Sequence, residues 1–381
     1  HGLSLCGTAT CNDDITVIIS RLNYLLLESD IIVTSGGLGP TTDDLTREAI
    51  AQLLKQPLVE NAEAKKHVEE YFAQRKRPMS HTNLRQTKIP ESAQVIHNPV
   101  GSAPGFWVKF ELNNKTKYIY SLPGIPTEFH EMFNEYVIHL ILQELGTIDC
   151  SFEAAFRVFG LPESEVGARI ESLNLSPTIS ICYRTVFPEI EVILRTINFE
   201  EITPAQESVM NVLGLEHIVS KEASFGLDQA VMNLAIKKEA TISVAESCTG
   251  GMLGEILTNI SGSSKFFNGG VISYSNEVKE SLLDVPHDIL QKHGAVSAET
   301  VKAMAEGCRK KTKSMIGISI SGIAGPDGGT EEKPVGTFFI GISCNDKIEA
   351  FSYFLPSSRD KIRRYACYCA LDLLKKCLMS L

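Results

Sequence analysis

The apolar positions along the chain keep helical period over residues 15–27 and then contract into a short β-branched run at 30–34, Asp-Ile-Ile-Val-Thr. That is an amphipathic helix feeding a buried strand. A glycine-rich turn from Ser35 to Asp44 leads into a second helical stretch at 45–54, whose start has the capped form Thr42-x-x-Leu45. Residues 117–122 predict another strand, followed by Pro123-Gly124-Ile125-Pro126 and a helix over 127–144. Both loops therefore stand at carboxyl ends of strands, where open parallel sheets collect ligands. Near residue 150 the grammar changes. Strands at 154–158, 178–184 and 189–197, with a helix at 163–173, predict a compact α+β module with antiparallel strands. A helix at 227–238 and a strand at 240–245 open a further α/β unit, and the polar stretches 199–206 and 221–226 read as flexible connectors.

The expected fold class is α/β, in three domains: 1–147, 148–222 and 223–381. A length of 381 residues exceeds what one hydrophobic core organises, and 43% hydrophobic with 22% charged residues is a globular composition. The 36 Lys and Arg against 46 Asp and Glu leave a net charge of −10, which repels a phosphate backbone. The clusters Arg75-Lys76-Arg77, Arg309-Lys310-Lys311 and Arg363-Arg364 read as solvated helix faces, so no direct nucleic-acid partner is expected. No apolar run reaches the ~18–20 residues of a membrane helix, and no membrane partner is expected. Ten cysteines, including Cys11 and Cys150, show no CxxC and no zinc-finger spacing, which fits reduced thiols in a cytoplasmic protein. The chain opens at His1 without Met, so residues upstream were removed or the numbering begins inside a longer product.

The first loop follows its strand with Gly36, Gly37 and Gly39, which let backbone amides approach an anion. Asp43 and Asp44 come next; they either cap the helix or hold a hard divalent ion beside a phosphate. In the last third, Glu246-Ser247-Cys248-Thr249-Gly250-Gly251 follows a strand and precedes a helix at 252–259. A serine at such a turn is either a helix cap or a nucleophile exposed beside backbone amides. The strand at 270–274 runs into Ser275-Asn276-Glu277-Val278-Lys279, where Ser275 reads as the N-cap and Lys279 as facing back toward the cleft. Burial and a helix N-terminus both lower a lysine's pKa, and a Ser–Lys pair is then the natural nucleophile and base; a solvated ammonium is the alternative. The stretch 319–329 supplies another strand end rich in amides. His287 and His293 read as surface residues, Phe106 and Trp107 as core, and Cys367-x-Cys369 as facing opposite sides of a helix.

Ser35-Gly-Gly-Leu-Gly-Pro-Thr-Thr-Asp-Asp-Leu-Thr, with Asn98-Pro-Val-Gly-Ser-Ala-Pro-Gly-Phe and Leu122-Pro-Gly-Ile-Pro-Thr-Glu, resembles the molybdopterin-binding-like three-layer α/β domain of the CinA family. Ala245-Glu-Ser-Cys-Thr-Gly-Gly, Tyr274-Ser-Asn-Glu-Val-Lys, Gly294-Ala-Val-Ser and Ser321-Gly-Ile-Ala-Gly-Pro-Asp-Gly-Gly resemble its C-terminal α/β domain. The family domain begins with a strand and helix ahead of the point where this chain starts, and carries Asp where Cys11 stands. The resemblance implies a nicotinamide mononucleotide deamidase that needs no cofactor. Ser247 would be nucleophile, Lys279 base and Tyr274 the residue orienting them. Thr249, Gly250, Gly251, Ser321, Gly322, Gly325, Arg359 and Arg363 would meet the nucleotide, the arginines its phosphate. It also implies a metal-dependent ADP-ribose pyrophosphatase in the first domain. There Gly36, Gly37, Gly39, Gly101, Ser102, Pro123 and Gly124 would line the cleft, and Asp43 or Asp44 would meet Co, Mg or Mn. A homodimer is implied. The rival readings are the pyrophosphatase as main activity, or a non-enzymatic adaptor linked to competence and recombination.

Overall fold

The computed structural model describes residue 3 and residues 5–145, 152–221 and 225–381, so Cys150 and residues 222–224 of the 221–226 connector lie outside the described residues. The chain divides into two compact units, His1–Cys150 and Ser151–Leu381. The regions 148–222 and 223–381, separate in the sequence, thus fall in one unit.

In the first unit, four strands order as Ile31–Ser35, Lys115–Leu122, Gly105–Leu112 and Gln94–Ile96. The first pair is parallel and the others antiparallel. Side chains alternate across a strand, so Val108 and Ile119 face one core with Leu22, Leu26 and Ile50, while Trp107, Tyr118 and Tyr120 face a second with Met132 and Ile141. Helices cover both faces, giving three layers. Phe106 and Trp107 are core, the Trp107 ring stacked on Tyr120 at 5.7 Å. The parallel register pairs Ser35 with Leu122, which brings the two predicted loops side by side: Gly36 N–H donates to Leu122 O at 2.9 Å. The helix expected at 45–54 is Thr46–Leu54, and Thr42 does not cap it. Asp44 folds back instead, accepting from the Thr41 amide and hydroxyl.

The second unit holds two sheets. Strands Ile218–Ser220, Phe152–Val158, Glu189–Thr196 and Ser180–Val186 are all antiparallel, as expected of the middle module. Residues 199–206 are no connector. They begin the helix Phe199–Leu213, whose Ile202, Ala205, Val209 and Leu213 are buried against Phe156, Val192 and Leu194. The charged first turn, Glu200 and Glu201, hid that apolar face.

The other sheet orders Phe267–Ile272, Ile242–Glu246, Ile316–Gly322, Thr337–Cys344 and Lys347–Phe354, parallel across the first three and antiparallel beyond. The helix Ala298–Thr312 packs Met304 and Cys308 with Ala245 on one face. The helices Leu227–Lys237 and Arg359–Ser380 pack on the other with Val244, Ile318 and Ile320. The middle module is fastened to this sheet's helices. Phe159 meets the rings of Tyr365 and Tyr368 at 5.9 and 6.3 Å, and the buried Glu189 accepts from Leu227 N–H at 2.8 Å and Arg157 at 2.9 Å. The last helix is consequently covered on several sides. Cys367 and Cys369 are both buried. Among the described residues no helix is long and apolar enough to cross a membrane.

Candidate active site

The strand Ile242–Glu246 is buried throughout and ends at Ser247, whose amide donates to Ile320 O of the neighbouring strand at 3.0 Å. Gly250 N–H turns back to Ser247 O at 3.1 Å, a closure that uses positive φ at Gly250 (60°) and Gly251 (96°). Ser247 is thereby held at the tip of a sharp turn, with 8% of its surface exposed.

The adjacent parallel strand Phe267–Ile272 leads to the helix Asn276–Leu283, where Ser275 is the N-cap and accepts from Val278 N–H. Lys279 on this helix is wholly buried. Its Nζ lies 2.7 Å from Ser273 O, 3.3 Å from Tyr274 O and 3.3 Å from Ser247 Oγ. Burial lowers the lysine's pKa below its ordinary 10.5, opposed by Cys248 and Glu277. Burial also pushes the Cys248 thiol up to about 12, so that thiol is uncharged near neutrality and Glu277 is the effective opposing charge. A neutral amine has two hydrogens and one lone pair. In the neutral form the two carbonyls would take the hydrogens and the lone pair would face the Ser247 hydroxyl, the arrangement of a base beside its nucleophile.

Glu246 is a functional residue that sequence reasoning passed over. Its buried carboxylate accepts from Gly251 N–H (3.0 Å), Leu253 N–H (3.1 Å) and Gly254 N–H (2.8 Å), the opening amides of the helix Met252–Thr258. Its carbonyl accepts from Ser273 N–H at 2.7 Å and so places the carbonyl that holds Lys279. The signal was an acidic residue closing a strand that is apolar but for Ser243.

The other predicted contacts divide. The Tyr274 side chain is 64% exposed, and its carbonyl, not its ring, touches Lys279. Ser321 Oγ donates to Ala295 O at 2.6 Å and ties the end of its strand to the loop ahead of the helix Ala298–Thr312, while a Cβ on Gly322 would stand 2.4 Å from Phe338, so that glycine serves packing. Arg359 donates to Gly325 O at 2.7 Å. Arg363 donates through Nε to Cys248 O at 3.1 Å and through Nη2 to Thr249 O at 2.7 Å. Both arginines therefore fasten the loops that border Ser247. Among the described residues the buried Thr249 hydroxyl has no partner. His287 and His293 pair with Glu280 and Glu299 on the surface, away from this cluster.

In the first unit, Gly36 and Gly124 approach so closely that a Cβ on Gly124 would lie 3.2 Å from Gly36 Cα. Arg47, a buried cation, donates to Leu38 O at 2.5 Å and Gly39 O at 2.7 Å. The loop carrying Gly101 and Ser102 is closed by Asn98, whose Nδ2 donates to Ala103 O at 2.9 Å and Glu128 Oε2 at 2.8 Å. Gln86 donates to Ser102 Oγ at 3.4 Å. Asp43 and Asp44 both lean on Thr41, and among the described residues no group of three His, Cys, Asp or Glu is placed to hold a metal ion.

Comparison with known proteins bears on both units. Residues 225–378 match the family described as CinA C-terminal domain, and residues 1–143 match the "Probable molybdopterin binding domain". A CinA-like protein of Pseudothermotoga lettingae is 38% identical over 384 residues, covering 100% of this chain and 92% of the relative. The chain belongs to the CinA family. A CinA-like protein of Shewanella sp. is 37% identical, covering 100% of this chain and 89% of the relative. A crystal structure of a CinA superfamily protein from Klebsiella pneumoniae is 30% identical, covering 41% of this chain and 97% of that one at a TM-score of 0.40. The buried hydroxyl–amine pair lies within the CinA C-terminal domain, and the glycine cleft within the other.

Proposed function

We propose that the CinA C-terminal domain hydrolyses the carboxamide of nicotinamide mononucleotide to nicotinic acid mononucleotide and ammonia. The supporting observation is the 3.3 Å approach of the buried Lys279 Nζ to Ser247 Oγ, with the amine's other partners both carbonyls. Lys279 takes the hydroxyl proton as Oγ bonds to the carboxamide carbon, and the C=O pair moves onto oxygen. The pair returns, the C–N bond breaks, and the proton on Nζ passes to the departing nitrogen, leaving an ester on Ser247 and free ammonia. Water then attacks the ester and gives its proton to the same amine. The ester C–O bond breaks, and the proton returns to Ser247. Reactants and products balance without a cofactor.

The test incubates the purified chain with nicotinamide mononucleotide and measures ammonia and acid. Ser247→Ala and Lys279→Ala should each lose at least ~10²-fold in turnover with secondary structure retained. Undiminished turnover in Ser247→Ala overturns the reading.

A second reading concerns the first unit. The close approach of Gly36 and Gly124 suits a pyrophosphate, and the two Asp43 and Asp44 carboxylates suit a divalent ion whose remaining ligands come from phosphate oxygens and water. That ion would neutralise charge on the pyrophosphate. In the same preparation, chelation should abolish cleavage of ADP-ribose and spare ammonia release.

A further inference from the structure

We propose that Arg363 is a positioning residue that builds the oxyanion hole for Ser247, rather than the phosphate contact that family resemblance suggests; this rests on the deamidase reading. Most amide hydrogens around Ser247 are already committed. Ser247 N–H donates to Ile320 O, Gly250 N–H to Ser247 O, and Met252 N–H to Thr249 O. Glu246 takes Gly251, Leu253 and Gly254. Among the described residues, from Ser247 to Gly254 only the amides of Cys248, whose N–H otherwise meets just its own thiol, and Thr249 have no partner elsewhere in the protein. They belong to the nucleophile turn itself, one and two residues past the attacking oxygen. Donors placed there can stabilise charge on a tetrahedral intermediate.

Arg363 holds the peptide that carries the second of those amides. In a trans peptide the C=O and the following N–H are directed oppositely. By holding Cys248 O with Nε and Thr249 O with Nη2, the guanidinium turns two successive carbonyls toward itself. The Thr249 N–H is thereby directed to the opposite side. The Gly250-to-Ser247 bond does the same for the Cys248 N–H, since it engages the carbonyl of that peptide. The Thr249 hydroxyl, buried and unpartnered on the same turn, is a further polar atom that a bound oxyanion or carboxamide would satisfy. A guanidinium can span two carbonyls because its N–H groups form a rigid fork. An ammonium cannot hold both in that geometry.

The experiment compares wild type, Arg363→Ala and Arg363→Lys with nicotinamide mononucleotide, with nicotinamide riboside, which lacks the phosphate, and with p-nitrophenyl acetate, acylation of Ser247 being followed by mass spectrometry. For a positioning role, kcat falls ~10²-fold in both variants while KM moves little, the loss is the same for the riboside, and ester acylation slows in parallel. Lys, which keeps the charge, fails to rescue. A rise in KM confined to the phosphorylated substrate, or rescue by Lys, assigns Arg363 to the phosphate and overturns the proposal. Circular dichroism controls for folding; if Arg363→Ala does not fold, Arg363→Lys carries the test, since it keeps the packed stem and the charge. The two readings fail separately. A wild type that makes no ammonia but acylates Ser247, with the variants slowed, sinks the deamidase and leaves the positioning role. Ammonia release with unchanged kcat in the variants does the reverse, and a wild type inert to all three substrates sinks both.

Discussion

The two glycine-rich loops, 35–44 and 247–251, start from the same local grammar and end as different devices. Each leaves a parallel strand, turns through glycines at positive φ and enters a helix. Each has an arginine that clamps two successive loop carbonyls: Arg47 on Leu38 and Gly39, Arg363 on Cys248 and Thr249. The difference lies in where the acid sits. In the first loop Asp43 and Asp44 come after the turn, lean on Thr41 and remain accessible to solvent. In the second, Glu246 comes before the turn and is buried, so it consumes the helix amides and leaves only the two at the nucleophile unclaimed. A buried amine then stands opposite the second turn and, among the described residues, has no counterpart at the first. Both turns share a geometry that suits an anion; the placement of buried charge sets the second apart as the site of the proposed covalent chemistry.

Removing the buried acid is the severest way to break that contrast. Glu246→Ala leaves three amides without their carboxylate, and loss of about 3 kcal/mol is expected from hydrogen bonds to a charged group at a buried site. Denaturant unfolding reads the loss, and hydrogen exchange should locate it in Met252–Thr258. A change under ~0.5 kcal/mol, the scale of an ordinary surface substitution, would show that the carboxylate does not organise the turn.

A smaller effect is expected from the first loop. A Cβ on Gly37 would stand 2.2 Å from Thr46 Oγ1, at φ 69°, and Thr46 ties the loop to its helix by donating to Gly36 O at 2.8 Å. Gly37→Ala should therefore cost roughly 1–3 kcal/mol, the scale of local backbone strain, with faster exchange confined to Thr46–Leu54. Ammonia release should be untouched; a matching loss of deamidation would mean that the two loops do not work independently.

The finest discrimination comes from pH. Because burial lowers the Lys279 pKa, the unfolded chain holds a proton that the folded chain has released between the lowered value and 10.5. Stability of the wild type should rise with pH across that window, and the rise should be absent in Lys279→Met. Turnover should climb over the lower part of the same range as the amine becomes free to act as base. A flat profile in the wild type, or an equal slope in the variant, would show that the amine is not held neutral by its surroundings.

Ser247, Lys279, the Ser275 cap and both glycine loops were legible in the sequence because each depends on local order: an apolar strand, a turn residue, a helical offset of four. The same reading placed the middle module's strands and the core aromatics, Phe106 and Trp107. It missed the helix at Phe199–Leu213, where an acidic first turn masked an apolar stripe visible only over its whole length. It missed the roles of Arg47, Arg363, Glu246 and Asn98, because what a polar side chain does depends on which backbone atoms the fold leaves unpaired.

The sequence by itself determined most of the elements, the family and the candidate Ser247–Lys279 pair, since periodicity and turn chemistry act within a few residues. Only the tertiary structure decided that the pair meets at 3.3 Å in a buried setting, that Arg363 reaches the loop 114 residues before it, and that Glu246 silences the helix amides. These are consequences of parallel strand order and of desolvation. Both arise only when segments distant in the chain exclude water together.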